Sequence, residues 1–307
     1  MKEWMVTLVI GLLVSLPLPG GVVQGQEIGD FHLAEASAGP GPSESLKPGE
    51  AWPQAPSTAW VDRYNGPGND DDRAAALAVD GQGNVYVTGA STGSGTGYDY
   101  ATIKYDAHGQ PQWVRRYNGP GSGDDWPSAL AVDGQGNVYV TGASIGSGTG
   151  YDYVTIKYDA HGNKKWVRRY NGPVNGDDWA NALAVDSQGN VYVTGASTGS
   201  GTGYDYVTIK YDAHGNKKWV RRYNGPGSGD DGPNALAVDG QGNVYVTGAS
   251  WGGSGTLFDH ATIKYDAHGA RQWVRRYNGP ANGDDWANAL AVDGQGNVYV
   301  AGASTGS

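Results

Sequence analysis

The sequence predicts an all-β protein made of repeated antiparallel sheets, and three observations support this fold class. A block of about 53 residues recurs, apolar and polar residues alternate within it, and no stretch after residue 59 has a helical period. A period near 50 residues is typical of repeat proteins, in which each unit buries its apolar face against the next. The marker Tyr-Asn-Gly-Pro recurs at spacings of 53, 53, 53 and 54 residues, beginning at Tyr64, Tyr117, Tyr170, Tyr223 and Tyr277.

Residues 1–25 have the pattern of a secretory signal peptide. Lys2 precedes an apolar run that ends near Leu18, and proline, glycine and small residues follow it. A membrane anchor is the alternative interpretation, but the prolines and glycines leave the run shorter than the ~20 residues that a spanning helix needs. We therefore predict a secreted, periplasmic or cell-surface protein that is not inserted in the membrane after cleavage. Residues 26–59 lack periodicity and predict a flexible leader.

Each repeat contains four segments that predict β-strands, because β-branched and aromatic residues alternate with polar or small ones between Gly, Asn and Asp. In the second repeat these segments are residues 129–133, 137–142, 151–159 and 166–170. Both faces of such a sheet carry large side chains, so each sheet is expected to lie between two others. The radial arrangement that achieves this is a β-propeller of about five four-stranded antiparallel blades. The predicted blades are residues 74–117, 127–170, 180–223, 233–277 and, in part, 287–307.

The last blade is predicted to be incomplete. The Thr-Ile-Lys-Tyr strand occurs four times, whereas the other three strand types occur five times. Residues 60–64 could close the ring by pairing with the last blade, which would still lack one strand. We expect a longer propeller that continues beyond Ser307, because an uncapped repeat end exposes strand edges that pair with other chains.

The connections between strands are of two kinds. Asp133–Asn137 and Asp159–Gly162 are short and predict tight hairpin turns, in which Gly or Asn supplies positive φ. Ser144–Gly150 and Asn171–Trp179 are long. Alternate connections of a meander fall on the same edge of the sheet, so we expect all long loops on one face of the disc, the long-loop face. The tight turns are expected on the opposite, tight-turn face.

The repeat resembles a known family. Ala-Leu-Ala-Val-Asp-Gly-Gln-Gly-Asn-Val-Tyr-Val-Thr-Gly, followed by Tyr-Asp-Tyr-Ala-Thr-Ile-Lys-Tyr-Asp, is similar to the SBBP β-propeller repeat and to the wider NHL-type repeats. The resemblance covers residues 60–307. It implies a propeller fold and no reaction, since members are mostly extracytoplasmic bacterial proteins without an assigned chemistry. Propellers host enzymes, sugar binders and scaffolds, so the fold does not decide the function.

The candidate ligand-binding residues are the Asp-Asp-Trp corners of the long-loop face. Paired carboxylates beside an indole could accept sugar hydroxyls while the ring packs on a pyranose. The alternative is a capped turn whose Trp packs between adjacent blades. Asp71-Asp72-Arg73 departs from the pattern, as does Gly232, which follows the third of the predicted pairs. The candidate residues are Asp124, Asp125, Trp126, Asp177, Asp178, Trp179, Asp230, Asp231, Asp284, Asp285 and Trp286.

No catalytic residue, metal site or cofactor is predicted. Near-identical blades do not supply the unlike carboxylates that a glycosidase needs around one pocket. Repeated Asp offers oxygen ligands for calcium, which stays possible, but the Asp-Gly-Gln-Gly-Asn segments are explained by their turns. One segment, 251–260, breaks the repeat with an insertion, Phe258 and His260, and is either a specialised contact or ordinary loop variation. Four histidines recur one per blade as solvated turn residues: His108, His161, His214 and His268.

The charge balance restricts the partners. A net charge of -10 and a pI of about 4.9 argue against nucleic acid, whose phosphates need a basic surface. The absence of cysteine excludes disulfides, so burial alone must stabilise the fold. We predict a non-catalytic binding or structural module with a protein or glycan ligand on the long-loop face. The alternatives are a carbohydrate-active enzyme or lectin-like glycan binder, and an architectural repeat of a larger cell-envelope protein.

Overall fold

The structure, a computed structural model, describes residues 4–9, 23–24 and 58–306, and their regular structure is entirely β-strand. Within these residues there is no long apolar helix of the kind that crosses a membrane. The first strands are β1 (Trp4–Val9), β2 (Val23–Gln24) and β3 (Thr58–Tyr64). The predicted signal peptide is described at 4–9 and 23–24 alone and stays a prediction. The predicted leader lies outside the described residues except at 58–59.

Four complete blades and one two-stranded sheet follow, which confirms the predicted fold class. Blade 1 consists of β4 (Asp72–Val79), β5 (Val85–Thr92), β6 (Tyr98–Tyr105) and β7 (Pro111–Tyr117). Blade 2 consists of β8 (Asp125–Val132), β9 (Val138–Ile145), β10 (Tyr151–Tyr158) and β11 (Lys164–Tyr170). Blade 3 consists of β12 (Asp178–Val185), β13 (Val191–Thr198), β14 (Tyr204–Tyr211) and β15 (Lys217–Tyr223). Blade 4 consists of β16 (Asp231–Val238), β17 (Val244–Trp251), β18 (Phe258–Tyr265) and β19 (Arg271–Tyr277). The two-stranded sheet consists of β20 (Asp285–Val292) and β21 (Val298–Ser304).

The strands of each complete blade pair in sequential antiparallel order, and β2 adds a short edge to blade 1. Each first strand begins at the second Asp of the Asp-Asp pair, two residues before the predicted start of its blade; in blade 2 this is four residues before the predicted strand 129–133. The reason is that this residue pairs with the second strand, as Asp125 does with Ser144. A β-bulge then follows in every first strand; in blade 2 it lies between Pro127 and Ala129.

The tight turns are built by their aspartates. Asp133 Oδ1 accepts hydrogen bonds from the backbone N–H groups of Gln135 and Asn137, and its Oδ2 accepts from Asn137 Nδ2 and Tyr139 OH. Gly136 follows with φ 77°, a conformation that favours glycine. Both carboxylate oxygens are therefore used by the turn, as predicted for the Asp-Gly-Gln-Gly-Asn segments.

Aromatic residues fill the space between blades. Trp113 of β7 packs against Tyr158 of blade 2, with ring centroids 6.2 Å apart, and Trp166 packs against Tyr211 of blade 3 in the same way. Tyr139 is fully buried. Burying one such ring contributes about 1.5–3 kcal/mol, so the repeated aromatic positions hold neighbouring sheets face to face.

The first strand of each blade lies innermost, because the series β4, β8, β12, β16 and β20 make contact with one another in turn. The bulged residues of the inner strands of blades 2, 3 and 4 extend this contact to the next sheet. Ser128 Oγ donates to the Ala180 carbonyl, and Asn181 Nδ2 donates to the Pro233 carbonyl at 2.9 Å. Asn234 makes the same bond to Ala287. The sequence analysis did not predict these inter-blade bonds.

At each end of the described series of sheets, the last sheet has a described neighbour on one side only. Among the described residues, β3 pairs with β1 and β21 pairs with β20, so residues 60–64 do not add to the last sheet here. Trp60 instead packs against Tyr105 of blade 1 at 5.4 Å. Large apolar side chains are exposed in these regions: Val61, Leu77, Val79, Tyr277, Trp286, Tyr299 and Val300.

Candidate functional site

The second aspartate of each predicted pair is a buried structural residue. Asp125 is fully buried, and its Oδ2 accepts a hydrogen bond from Gly119 N at 2.6 Å. Asp178 accepts from Gly172 N at 2.6 Å in the same way. These glycines belong to the Tyr-Asn-Gly-Pro markers, so the carboxylate fixes the chain where it enters each blade. The equivalent bonds in the other blades are those of Gly66 to Asp72, Gly225 to Asp231 and Gly279 to Asp285.

Burial raises the pKa of Asp125, Asp178 and Asp231, although hydrogen bonds to each carboxylate oppose the shift. A raised carboxyl pKa in a cleft can indicate a catalytic acid. Here the same shift recurs in three successive blades. It is therefore a property of the repeat, not of one active site.

The first aspartate of each pair connects adjacent blades. Asp124 Oδ1 accepts from the backbone N–H of Tyr98 in the preceding blade at 2.9 Å, and Asp177 accepts from Tyr151 N at 3.0 Å. Asp230 accepts from Tyr204 N at 2.9 Å. The last member of the series has the longest bond, from Phe258 N to Asp284 at 3.4 Å. One oxygen of each of these carboxylates is thus committed to holding two blades together.

In two corners the tryptophan packs between blades. The ring centroids of Trp126 and Tyr98 are 4.6 Å apart, and those of Trp179 and Tyr151 are 4.3 Å apart. These separations leave no room for a sugar ring between indole and phenol. This contact is the packing between blades that was predicted as the alternative to sugar binding. Whether the outer faces of these rings bind a ligand stays a prediction.

Blade 4 departs from this arrangement, because Gly232 takes the position of the tryptophan. No atom lies within 4 Å of the place where a Cβ would stand. A cleft of about 240 Å³ opens there on the long-loop face. Its wall is formed by three rings, three polar side chains, two alanines and the glycine: Tyr204, Phe258, Trp286, Asp230, Asp231, Asn234, Ala196, Ala249 and Gly232.

The 251–260 segment, which also departs from the repeat, borders the same cleft as Gly232. The inserted loop begins at Trp251, whose ring packs edge-on against Phe258 at 5.2 Å. Phe258 in turn packs edge-on against Trp286 at 6.1 Å. Leu257 in this loop has φ 51°, which is uncommon for a residue with a bulky side chain. Gly232 and the 251–260 segment lie more than 18 residues apart in the sequence, and they come together because β16 pairs with β17 and β17 pairs with β18.

The polar groups at the cleft are largely engaged by the protein itself. Asp231 accepts from Gly225 N with Oδ2 and from Trp251 N with Oδ1, and Asp230 Oδ1 accepts from Tyr204 N. Asn234 donates to the Ala287 carbonyl at 2.9 Å. The open surface of the cleft is therefore mainly aromatic and suits a planar apolar group.

The remaining candidate groups do not gather into a site. In the part of the chain that the structure describes, no three His, Asp or Glu side chains are placed to hold a metal ion. The four turn histidines are exposed. His260 occupies a position that is Tyr in the other complete blades. Its Nε2 lies 3.0 Å from the Ala303 carbonyl, and Tyr100 OH donates to Ala143 O in the equivalent place. His260 thus preserves an inter-blade contact.

Comparison with known proteins identifies the repeat. The β-propeller repeat named SBBP matches the sequence five times, over residues 59–95, 112–148, 165–201, 218–255 and 272–307. The chain belongs to this family. Membership confirms the resemblance and the propeller repeat, and it names neither a ligand nor a reaction. No curated protein sequence matches the chain.

Several solved structures are distantly similar. A candidate gluconolactonase is 14% identical with a TM-score of 0.39, and the match covers 74% of this chain and 70% of that one. A glucose dehydrogenase is 11% identical with a TM-score of 0.38, covering 74% and 92%. A eukaryotic initiation factor is 10% identical with a TM-score of 0.30, covering 67% and 55%. Similarity at this level carries no function to this chain.

Proposed function

We propose that this protein is a secreted or surface-exposed β-propeller that acts as a non-catalytic binding module, with its ligand site at the Gly232 cleft. One observation carries the proposal: two of the departures from the repeat, Gly232 and the 251–260 segment, meet at a single aromatic cleft. The signal-like residues 1–25 support the extracytoplasmic location.

The regularity of the other blades makes this asymmetry informative. Residues 151–173 and 204–226 are identical in sequence. Repeats that are nearly identical within one chain present equivalent surfaces. A ligand that binds at a single site needs a surface that differs from the other copies. The cleft is such a surface, and it lies on the long-loop face, where variable loops commonly carry binding residues.

The structure offers less support for the enzyme alternative. A carbohydrate-active enzyme needs two carboxyl groups of unlike pKa facing one pocket. Asp231 is the buried carboxyl beside the cleft, but both of its oxygens accept backbone hydrogen bonds. Asp125 and Asp178 have the same raised pKa in corners that a tryptophan fills. The carboxyl of Asp231 is thus explained by the repeat.

The proposal is tested by screening the purified full chain on a glycan array and a displayed-peptide library, in parallel with Gly232→Trp. This substitution restores the residue of the other corners and fills the cleft. We expect the principal ligand of the wild-type protein to bind Gly232→Trp at least ~10-fold more weakly, which corresponds to about 1.4 kcal/mol. The matched control is Gly240→Trp, which adds an indole at an open turn position on the opposite face.

Two results would contradict the proposal. If no glycan or peptide binds, the chain is better explained as an architectural repeat. If ligands bind but Gly232→Trp has no effect, the contact lies elsewhere. In that case the triple variant Trp126→Ala, Trp179→Ala and Trp286→Ala tests the regular corners instead. Thermal unfolding of each variant separates loss of a contact from loss of the fold.

A further inference from the structure

The walls of the cleft also indicate the class of its ligand, an inference that rests on the proposed function. We infer that the Gly232 cleft binds an aromatic side chain of a protein partner, flanked in that partner by basic residues. Four features support this inference: the regular corners, the paired replacements in blade 4, the engaged polar groups and the charge around the cleft.

The regular corners show which group fits the space. In blades 2 and 3 the same position holds an indole, which packs on a tyrosine of the preceding blade at 4.6 and 4.3 Å. In blade 4 the tyrosine of that pair is present as Tyr204, but its ring partner is absent because residue 232 is glycine. The cleft of about 240 Å³ therefore lies where two other blades place their own indole. An aromatic ring supplied by a partner can stack on Tyr204 in the same way.

A second replacement, Phe258 in the position of a tyrosine, accompanies Gly232. The Trp126 side chain interacts with the phenol of Tyr151, and the Trp179 side chain interacts with the phenol of Tyr204, each within its own blade. In blade 4 both members of the pair change, to Gly232 and Phe258. The corner consequently loses the indole N–H and the phenol together. The result is an apolar recess that places no hydrogen-bonding requirement on the ring that enters it.

This recess is poorly suited to a sugar. A pyranose carries several hydroxyl groups, and each hydroxyl that is buried without a partner weakens binding. Asp231 uses both oxygens on backbone donors, and Asn234 donates to the Ala287 carbonyl. Phe258 and Trp286 pack edge-to-face on each other, with an interplanar angle of 70°. An inserted ring can pack edge-to-face against them, which is a favoured aromatic geometry.

The charge around the cleft indicates what flanks the ring. Asp230 and Asp284 are exposed on the long-loop face beside it, and each uses one oxygen on a backbone donor of the preceding blade. The whole chain has a net charge of -10. A partner segment with Lys or Arg next to its aromatic residue would bring opposite charges together, and such pairing favours encounter and orientation.

The experiment uses short synthetic peptides as probes of the full chain, with binding measured by calorimetry or ligand-observed NMR. The test peptide is Ac-Lys-Trp-Lys-NH2; Ac-Lys-Ala-Lys-NH2 lacks the ring, and Ac-Glu-Trp-Glu-NH2 reverses the charge. We expect saturable binding of the first at one site. We expect at least ~10-fold weaker binding of each of the other two, and a decline with added salt.

Three variants locate the site. Gly232→Trp and Gly232→Leu should each weaken binding of Ac-Lys-Trp-Lys-NH2 at least ~10-fold, while Gly240→Trp should bind like the wild type. Trp179→Gly opens the equivalent corner between blades 2 and 3 and should add a second, weaker site. The two filling variants differ in size and shape, so a fold defect in one leaves the other informative.

The failure of this inference differs from the failure of the proposed function. If a glycan binds and is lost in Gly232→Trp while the Lys-Trp-Lys peptide does not bind, the cleft is a ligand site but its ligand is a sugar. If the peptide binds wild type and Gly232→Trp equally, the aromatic ring does not enter the cleft and the inference is wrong. If neither glycans nor peptides respond to Gly232→Trp, the proposed function fails as well.

Discussion

At the residue scale, three sets of aspartates have separate structural roles. The first Asp of each pair bonds a neighbouring blade, as Asp124 does through Tyr98 N. The second Asp fixes the entry of the chain into its own blade, as Asp178 does through Gly172 N. The turn Asp, such as Asp239, accepts hydrogen bonds from two backbone N–H groups and two side chains. The acidic composition therefore reflects repeated structural use, and it does not by itself indicate a metal or sugar site.

These roles predict opposite pH dependences for two substitutions. Burial raises the pKa of Asp178. Burial acts in the same direction on Asp239, but its hydrogen bonds, led by that from Asn243, outweigh it and lower the pKa. A raised carboxyl pKa in the folded state means that stability is lost as pH rises from the unfolded value of ~3.9 through the folded one. A lowered pKa means that stability is lost as pH falls through the folded value.

We expect the stability cost of Asp178→Asn to shrink as pH rises from about 3 to 7, and the cost of Asp239→Asn to grow over the same range. Each cost should be on the order of 0.5–3 kcal/mol, because one hydrogen-bonded group is altered. Urea unfolding at a series of pH values measures both. Parallel pH profiles for the two variants would contradict the assignment of the two aspartates to different environments.

At the element scale, the inner strands connect adjacent blades by side-chain hydrogen bonds. Their bulged residues donate side-chain hydrogen bonds to the inner strand of the following blade, and the chain varies this residue: Ser128 in blade 2, Asn181 in blade 3 and Asn234 in blade 4. Ala75 occupies the bulge of blade 1 and has no polar side-chain atom to donate. The blades are therefore connected by a series of bonds near the centre, in addition to aromatic packing farther out.

The variation between Ser and Asn at the bulge provides a control for the bond from Asn181 to the Pro233 carbonyl. Asn181→Ala should lower the free energy of unfolding by about 0.5–1.5 kcal/mol, the usual net value of one hydrogen bond. Asn181→Ser should cost less, because serine makes the equivalent bond in blade 2. Chemical denaturation of the two variants and the wild type gives the comparison. Equal losses for Ala and Ser would mean that the bond to the Pro233 carbonyl contributes nothing.

At the scale of the whole molecule, near-identical sheets are set face to face, and the corner of blade 4 is open because Gly232 stands where the other corners have Trp or Arg73. The inner strands run in series from β4 to β20, and buried aromatics such as Tyr139 fill the gaps between sheets. The Asp-Asp-Trp corners lie beside the Gly/Ser-rich loops, as the bond from Gly150 N to Asn175 O shows at 3.2 Å. Within this regular frame, the aromatic recess beside Gly232 is the feature that the repeat does not explain.

Much of this arrangement could be predicted from the sequence. Alternation and turn residues gave the strands, the tight turns and the common face of the long loops. The two possible roles of the Asp-Asp-Trp corners were also recognised, but the choice between them depended on Tyr98 of the preceding blade, which lies 28 residues from Trp126. The cleft was not predicted, because it is the space left by an absent side chain and is walled by rings from three sheets. The sequence analysis identified Gly232 and Phe258 as separate departures from the repeat, but it did not predict that they meet at one cleft.

Hydrogen–deuterium exchange with and without Ac-Lys-Trp-Lys-NH2 tests the central claim most directly, because the protein contains matched copies of every segment. We predict that the peptide protects backbone amides at 227–232 and 251–259. The equivalent segments 174–179 and 198–205 should be unchanged, since Trp179 already fills their corner. Equal protection in both pairs of segments, or protection confined to the tight-turn face, would contradict the claim that the Gly232 cleft is the binding site.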